Sequence, residues 1–389
     1  MTVDTCRQVY NHFLHRLNRE GGTSAYSEQS ILPDLKREWT ELKQVHSKVL
    51  QKVVQRLYDN LSTLKGRKDN GHRVGKLKWK APQEYRSVKY SQTGFELKNT
   101  SGCAVLSLSK IGDIPMVYHC DVPDDATTKE VVVKQEPTGE WFAVLGIETG
   151  NDAPPKPKTL KKCVGIDVGI VKYTHDTDGT AVERPDLSDE RERLEREQRK
   201  LSQKEHGSAN YRKQQRVVAG RHADLKRKRR DFLHKHSAYY AWKYDLVAVE
   251  DLDAKRLMEL PSNSRNRAGA AWRTFLRMLE CKCERERTHY VAVDPRGTTK
   301  ECSNRGVATE KPLWVREHSY PSCGFEEDRD LNVAYNILSR GLDQVGVVHS
   351  DSMPAETALS VGTNSIPAKR ILETGNPVLS EATRPSRAG

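Results

Sequence analysis

Long apolar runs are missing from this chain. No stretch of its 389 residues approaches the roughly 20 apolar residues that a membrane-spanning helix needs, which excludes such a segment. Asp4, Arg7 and His12 interrupt the apolar positions at the start, so a signal-peptide core is lacking and the expected location is cytoplasmic, with no membrane partner. A disulfide framework is lacking too: Cys6, Cys103, Cys120 and Cys163 are scattered singly, and Cys281 and Cys283 make no site by spacing alone. Only Cys302 and Cys323 stand in metal-like contexts. Negative charge is in deficit. Against 65 Lys and Arg there are 53 Asp and Glu, a formal +12. Each cation laid on a phosphate releases a counterion, so a polyanionic partner, nucleic acid, is expected.

What is present divides the chain. Cys6, Val9, Tyr10, Phe13, Leu14 and Leu17 recur at three- and four-residue steps, and the apolar run from Leu42 to Leu64 does the same, which predicts helices through residues 1–75. Lys76, Lys78 and Lys80 with Trp79 follow, a composition suited to phosphate contacts and base stacking. Residues 76–150 then alternate in short strands such as Ala104 to Leu108, Val131 to Val133 and Trp141 to Leu145, a β-barrel or sandwich module. Pro154, Pro155 and Pro157 among lysines mark a linker at 151–162. A charged stretch at 187–240, with Leu187, Leu194 and Leu201 seven apart before a turn at Gly207, predicts a helical hairpin. Its second arm carries Arg212, Lys213, Arg216, Arg227, Lys228 and Arg230, dense enough to track a nucleic-acid backbone. Residues 341–389 lose periodicity and gain Ser, Thr, Pro and Gly, which predicts a disordered tail.

Three acidic segments carry the chemistry. Gly165-Ile166-Asp167-Val168-Gly169 and Leu246 to Leu252, containing Glu250, end short β-branched runs with a carboxylate, as strands delivering it to the rim of a sheet do. Asp328 to Ile337 opens a helix, with Asp328 and Asp251 read as capping or solvated acids. Carboxylates gathered by folding repel one another unless divalent cations lie between them, the arrangement of two-metal phosphodiester chemistry.

Taken in order, these segments resemble the split motifs of a RuvC-like nuclease of the transposon-encoded TnpB (OrfB) family. The resemblance extends through Leu201 to Tyr211, Asp231 to Lys235 and Gly297 to Ser303, and covers residues 1–340. It implies an α/β chain with a ribonuclease-H-like (RuvC) core at 163–340, a helical recognition lobe at 1–75, a β-barrel wedge at 76–150 and a zinc-ribbon insertion at 297–327. It also implies an RNA-guided, Mg2+-dependent DNA endonuclease encoded by an insertion sequence, with guide RNA and target DNA as partners. Asp167, Glu250 and Asp330 would be its catalytic carboxylates, holding two Mg2+ ions, with Asp330-x-Asn332-x-Ala334 singling out Asp330.

Two departures stand out. The family's paired Cys-x-x-Cys motifs read here Cys302-Ser303-Asn304-Arg305 and Tyr320-Pro321-Ser322-Cys323. Cys302 and Cys323 are remnant zinc ligands, Arg305 offers no lone pair, and His318 reads as a surface residue, so structural Zn2+ is not expected. The chain also starts almost directly in a helix where the family begins with a wedge strand, which reads as truncation. The alternative function is a nuclease-inactive RNA- and DNA-binding remnant. An actin-like phosphotransferase is disfavoured, because Ile170 and Val171 replace the hydroxylic residues of that phosphate loop.

Overall fold

The computed structural model describes residues 2–21, 24–100, 103–117, 125–149, 155–252, 271–310, 315, 317–320, 323–346 and 364–366. Cys120, part of the 151–162 linker and most of the 341–389 tail lie outside the described residues. The chain divides into two compact units, Met1–Asp152 and Ala153–Gly389.

In the first unit α1 (Thr2–Glu20) buries Cys6, Val9, Tyr10, Phe13 and Leu14, the face its periodicity predicts. Helices α2 (Ala25–Gln29) and α3 (Leu32–Glu38) lead into a 3-10 turn at Thr40–Gln44. The run from Leu42 is therefore not one helix. Val45 and His46 are extended, and α4 (Ser47–Asp69) starts after them, burying Val49, Leu50, Val53, Val54 and Leu57. Six strands follow, as two three-stranded antiparallel sheets: β1 (Ser87–Ser91), β5 (Ala126–Gln135) and β6 (Trp141–Thr149) in order β1-β5-β6, and β2 (Phe95–Thr100), β3 (Cys103–Leu108) and β4 (Gly112–Met116) in order. Among the described residues these ladders form two small sheets and do not join into a closed barrel. Both lend residues to one core with the helices, through Val88, Tyr90 and Val131 from the first and Leu106 and Leu108 from the second.

The second unit is built on a mixed sheet of β7 (Cys163–Val168), β8 (Lys172–Asp176), β9 (Thr180–Glu183), β10 (Leu246–Glu250), β11 (His289–Val293) and β14 (Asn364–Ile366), in order β11-β10-β7-β8-β9-β14. Strands β7, β10 and β11 are parallel, whereas β8 is antiparallel to both β7 and β9. The segment 364–366, within the stretch read as a disordered tail, pairs in parallel with β9. The charged stretch forms α5 (Ser188–Ser202) and α6 (Ala209–Lys243), with Gly207 at φ +83 in the turn and the Ser208 hydroxyl capping α6 by accepting from the Tyr211 amide at 3.1 Å. One face of the sheet packs Val164, Ile166, Val247 and Val249 against Phe232, Leu233 and Tyr240 of α6 and Phe275 and Leu279 of α7 (Trp272–Glu286). The other packs Leu246, Ala248 and Val293 against Val333, Ile337 and Leu338 of α8 (Arg329–Val345). The helix thus runs on to Val345, five residues past the boundary read at 340.

Gly165 decides how close α8 comes. A Cβ at this position would lie 2.1 Å from the Ala334 carbonyl oxygen and 2.8 Å from the Leu338 amide nitrogen. Gly341 plays the reciprocal part, since its Cβ would lie 2.6 Å from that of Ala248.

Candidate functional site

The strand period of two sets the site. In β7 the core-facing Val164 and Ile166 alternate with Gly165 and Asp167, and in β10 Val247 and Val249 alternate with Leu246, Ala248 and Glu250. Since Gly165, Leu246 and Ala248 lie under α8, Asp167 and Glu250 at the ends of their strands fall on that same face. The helix begins there. Asp328 is its N-cap, its Oδ1 accepting from the amides of Asp330 at 2.9 Å and Leu331 at 3.2 Å. This satisfies two of the orphan donors of the first turn and fixes Asp330 at the positive end of the helix dipole.

Electrostatics report the convergence. Burial raises the Asp167 carboxyl well above the ordinary carboxylate range, and the charges of Glu250 and Asp330 push it further up, with Arg329 opposing. Burial also raises Glu250, opposed by the Thr298 hydroxyl, which donates to its Oε1 at 2.6 Å, and by the charge of Arg340. Asp330 accepts from Arg329, Nε at 2.8 Å and one terminal nitrogen at 2.5 Å, both on Oδ1.

The loop that carries Thr298 is clamped by one stripe of α8. Asn332 Nδ2 donates to the Glu301 carbonyl at 2.8 Å while its Oδ1 accepts from the Ser303 amide at 2.9 Å. Asn336 donates to the carbonyls of Thr298 and Glu301 at 2.9 and 2.8 Å. Arg340 reaches the carbonyls of Asp294 and Arg296 at 2.6 and 2.8 Å and Glu301 Oε2 at 2.7 Å. Four-residue spacing aligns the three on one helix face, so the helix that presents Asp330 also holds the hydroxyl that orients Glu250.

Sequence reasoning missed His175. It stands directly opposite Asp167 in the β7–β8 register, is 5% exposed, and neither ring nitrogen has a hydrogen-bond partner. Its Nδ1 lies 3.5 Å from Asp328 Oδ1. Burial lowers its pKa, while Asp328, Asp330 and Glu327 pull it upward. Among the described residues, His175, Asp328 and Asp330 are the group whose ligand atoms all lie within 4.8 Å of one another. The tightest ligand cluster is therefore not the predicted trio Asp167, Glu250 and Asp330, though it shares Asp330 with it. The sequence signal was a His eight residues after Asp167, beyond a turn at Gly169. Only the hairpin register places it opposite.

The remnant ribbon is a two-stranded hairpin of β12 (Glu317–Tyr320) and β13 (Phe325–Asp328) beside a Glu301–Ala308 bridge. Cys302 and Cys323 are brought together, with sulfurs 3.5 Å apart. Tyr320 is fully buried and donates its hydroxyl to the Glu301 carbonyl at 3.2 Å. Arg305 is exposed.

Of the predicted nucleic-acid residues, Lys76, Lys78 and Trp79 are exposed on an extended segment that Asn11 of α1 anchors by two hydrogen bonds to the Lys80 backbone, at 2.8 and 3.0 Å. In the other unit Arg212, Lys213, Arg216, Arg227, Lys228 and Arg230 are all exposed on α6. Lys228 is paired across the hairpin with Glu190, and Arg230 donates to His234 Nε2 at 3.2 Å.

Residues 130–260 match a family described as "Probable transposase" (OrfB_IS605), and residues 272–337 match one described as "Cas12f1-like, TNB domain". A protein of Streptomyces pristinaespiralis named "Putative RNA-guided DNA endonuclease" is 31% identical over 88% of this chain and 85% of its own length. "Putative RNA-guided DNA endonuclease InsQ" of Escherichia coli K12 is 28% identical over 55% of this chain and 56% of its own. The fold is similar to that in the cryo-EM structure of a Cas12f1–sgRNA–target DNA complex, with a TM-score of 0.55 at 15% identity, covering 86% of this chain and 81% of that one. With nearly a third of its residues shared across most of both lengths with the Streptomyces protein, the chain belongs to the TnpB (OrfB) family of insertion sequences.

Proposed function

We propose that this chain is an RNA-guided DNA endonuclease encoded by an insertion sequence, with a ribonuclease-H-like core in which Asp167, Glu250 and Asp330 hold divalent cations. The observation that carries this reading is the gathering of half-buried carboxylates at one rim of the sheet, with Asp167 raised by both of the others. Such a set is stable in its charged form only with a cation among its members.

The donor set fits hard divalent ions, being mainly carboxylate oxygen, and Mg2+ is the ion we assign; His175 adds a nitrogen donor beside Asp328 and Asp330. When bound, such ions activate water and stabilise the oxygen leaving a phosphodiester. The chain's own residues do the positioning. Asp167 and Glu250 hold their carboxylates on adjacent parallel strands, Thr298 fixes the rotamer of Glu250, and the Asp328 cap and Arg329 orient Asp330. Guide RNA and target DNA are the partners, with the cationic arm of α6 and the Lys76 to Lys80 segment as the backbone-binding surfaces. The two thiols of the ribbon, without the other two, favour a hairpin held by Tyr320 packing and not by Zn2+.

The test is Mg2+-dependent cleavage of a DNA library by the chain co-expressed with RNA from its own flank, compared with Asp330→Ala. Guided cutting that disappears in the variant is the expected result. A folded wild-type chain that retains the RNA and leaves the library intact would replace this reading with a binding-only remnant.

A further inference from the structure

The buried polar groups that the carboxylate centre leaves unused meet on the opposite side of the sheet, at the base of the hairpin. A pocket there is lined by Tyr173, Arg184, Arg191, Arg229, Phe232 and Leu233, drawn from β8, the end of β9, α5 and α6. Tyr173 is 1% exposed, and its hydroxyl has no hydrogen-bond partner. The Nε of Arg229 is likewise buried and unpartnered. The orientation of Tyr173 is built into the strand: the β8–β9 register slips between Lys172 and Thr174, leaving Tyr173 as the additional residue, and such irregularities re-aim a side chain. Its ring is held by edge contacts to Phe232 at 5.1 Å and Phe275 at 5.5 Å.

The charges at this pocket share one sign. Burial and then the charge of Arg191 lower Arg229, and the same two causes lower Arg184. A guanidinium does not relieve such repulsion by shedding its proton. Across the hairpin, Glu190 holds Lys228. Guanidinium groups offer donors only, and the tyrosine hydroxyl has its donor unspent, so the complement is an anion with several acceptor oxygens and a geometry matched by a planar fork. Phosphate meets that description.

We propose that this pocket is a phosphate site that takes one backbone phosphate of a bound nucleic-acid strand, anchoring it at the foot of the hairpin. It rests on the nucleic-acid partnership proposed above but not on cleavage, since none of its residues belongs to the carboxylate centre.

The test uses the full chain in EDTA, where cutting cannot contribute. Labelled single-stranded RNA, single-stranded DNA and duplex DNA are titrated over a series of salt concentrations against wild type, Arg229→Gln, Arg191→Gln and Tyr173→Phe. The strand seated in the pocket should show a salt slope smaller by about 0.7 if single-stranded, or about 0.9 if duplex, in each arginine variant. Tyr173→Phe should weaken binding about three- to tenfold with the slope unchanged, because it removes a hydrogen bond and no charge. Which strand responds identifies the source of the phosphate. Melting with inorganic pyrophosphate at constant ionic strength is the second measurement. Wild type should rise in Tm with pyrophosphate and Arg229→Gln should not, while Arg229→Gln without ligand should melt at or above wild type because a buried repulsion is gone. Unchanged slopes in both arginine variants together with no pyrophosphate shift would overturn the proposal. So would a lower Tm in the free variants with binding intact, which would make the arginines packing groups. If wild type binds no strand at all, the nucleic-acid reading fails and the strand assignment with it, whereas a pyrophosphate shift lost in Arg229→Gln still supports the phosphate site.

Discussion

Replacing Gly165 by alanine tests whether the approach of α8 to β7 sets the carboxylate centre. The new Cβ would meet the Ala334 carbonyl oxygen at 2.1 Å, short of the 3.4 Å where ordinary contact begins by about 1.3 Å. Backbone on backbone leaves no rotamer to adjust, so the helix has to withdraw and carry Asp330 and the Asn332, Asn336 and Arg340 clamps with it. Overpacking of this kind costs about 1–3 kcal/mol, which for a unit of this size lowers Tm by about 2–12 °C. Displacing a reacting group by about 1 Å lowers the rate about 100-fold. Gly341→Ala supplies the contrast. Its clash is with a side-chain atom, Ala248 Cβ at 2.6 Å, so Gly341→Ala combined with Ala248→Gly should recover most of the lost activity. For Gly165→Ala no side-chain substitution supplies the room. Melting curves and guided cleavage rates for the four proteins decide the matter. A Gly165→Ala variant that melts and cuts like wild type would refute the argument.

Thr298→Val removes the hydroxyl that holds Glu250 while keeping the side-chain volume, and should raise the divalent-cation concentration that gives half-maximal cleavage by about 10- to 100-fold. Replacing Arg212, Lys213 and Arg216 together by Gln should reduce the salt slope of duplex binding by about 0.9 for each phosphate no longer neutralised, with Tm unchanged; an unaltered slope would remove this arm from the interface. His236 gives a pH prediction. Fully buried between the rings of Phe232 and Phe275 and bonded through Nε2 to Thr174 Oγ1 at 2.8 Å, its folded-state pKa is pushed down by burial to about 3. The unfolded chain binds the additional proton between that value and about 6.5, so this contribution is complete above pH 6.5 and is lost by about 1.4 kcal/mol per pH unit as pH falls toward 3. Asp176, raised by burial to about 6, acts in the opposite sense below that pH, so the quantity to measure is the difference in unfolding free energy between wild type and His236→Phe. A difference that stays constant from pH 7 to pH 5 would show that His236 does not carry the effect.

The legible parts of this molecule were those fixed by local periodicity. The two carboxylate strands, the helix opened by Asp328 and the hairpin at 187–240 all follow from spacing within one segment, and there the residues end where their alternation directs them. What the sequence hid depends on pairing between segments. The turn signals of residues 76–150 mark where strands begin and end, but they do not say that β1 would join β5 and leave β2 to β4 as a separate sheet. His175 is silent for the same reason, since only the register across the Gly169 turn sets it opposite Asp167. The run from Leu42 failed because its three- and four-residue spacing continues across a break in the backbone at Val45 and His46, where the chain is extended.

The ribbon shows how function and fold separate along this chain. Tyr320 fills the interior of its hairpin, packs 6.3 Å from the ring of Phe325 and gives its hydroxyl to the Glu301 carbonyl. That carbonyl is the one that Asn332 and Asn336 also grip. Tyr320 thus ties its hairpin to the clamp that positions Thr298 and, through it, Glu250. Removing the hydroxyl leaves the ring packing and deletes this link. Tyr320→Phe should therefore lower cleavage without changing the fold, whereas a metal-dependent ribbon would respond to chelation and not to the hydroxyl. Cleavage by Tyr320→Phe at the wild-type rate, together with loss of the ribbon's protease resistance on chelation, would restore zinc as the element that holds it.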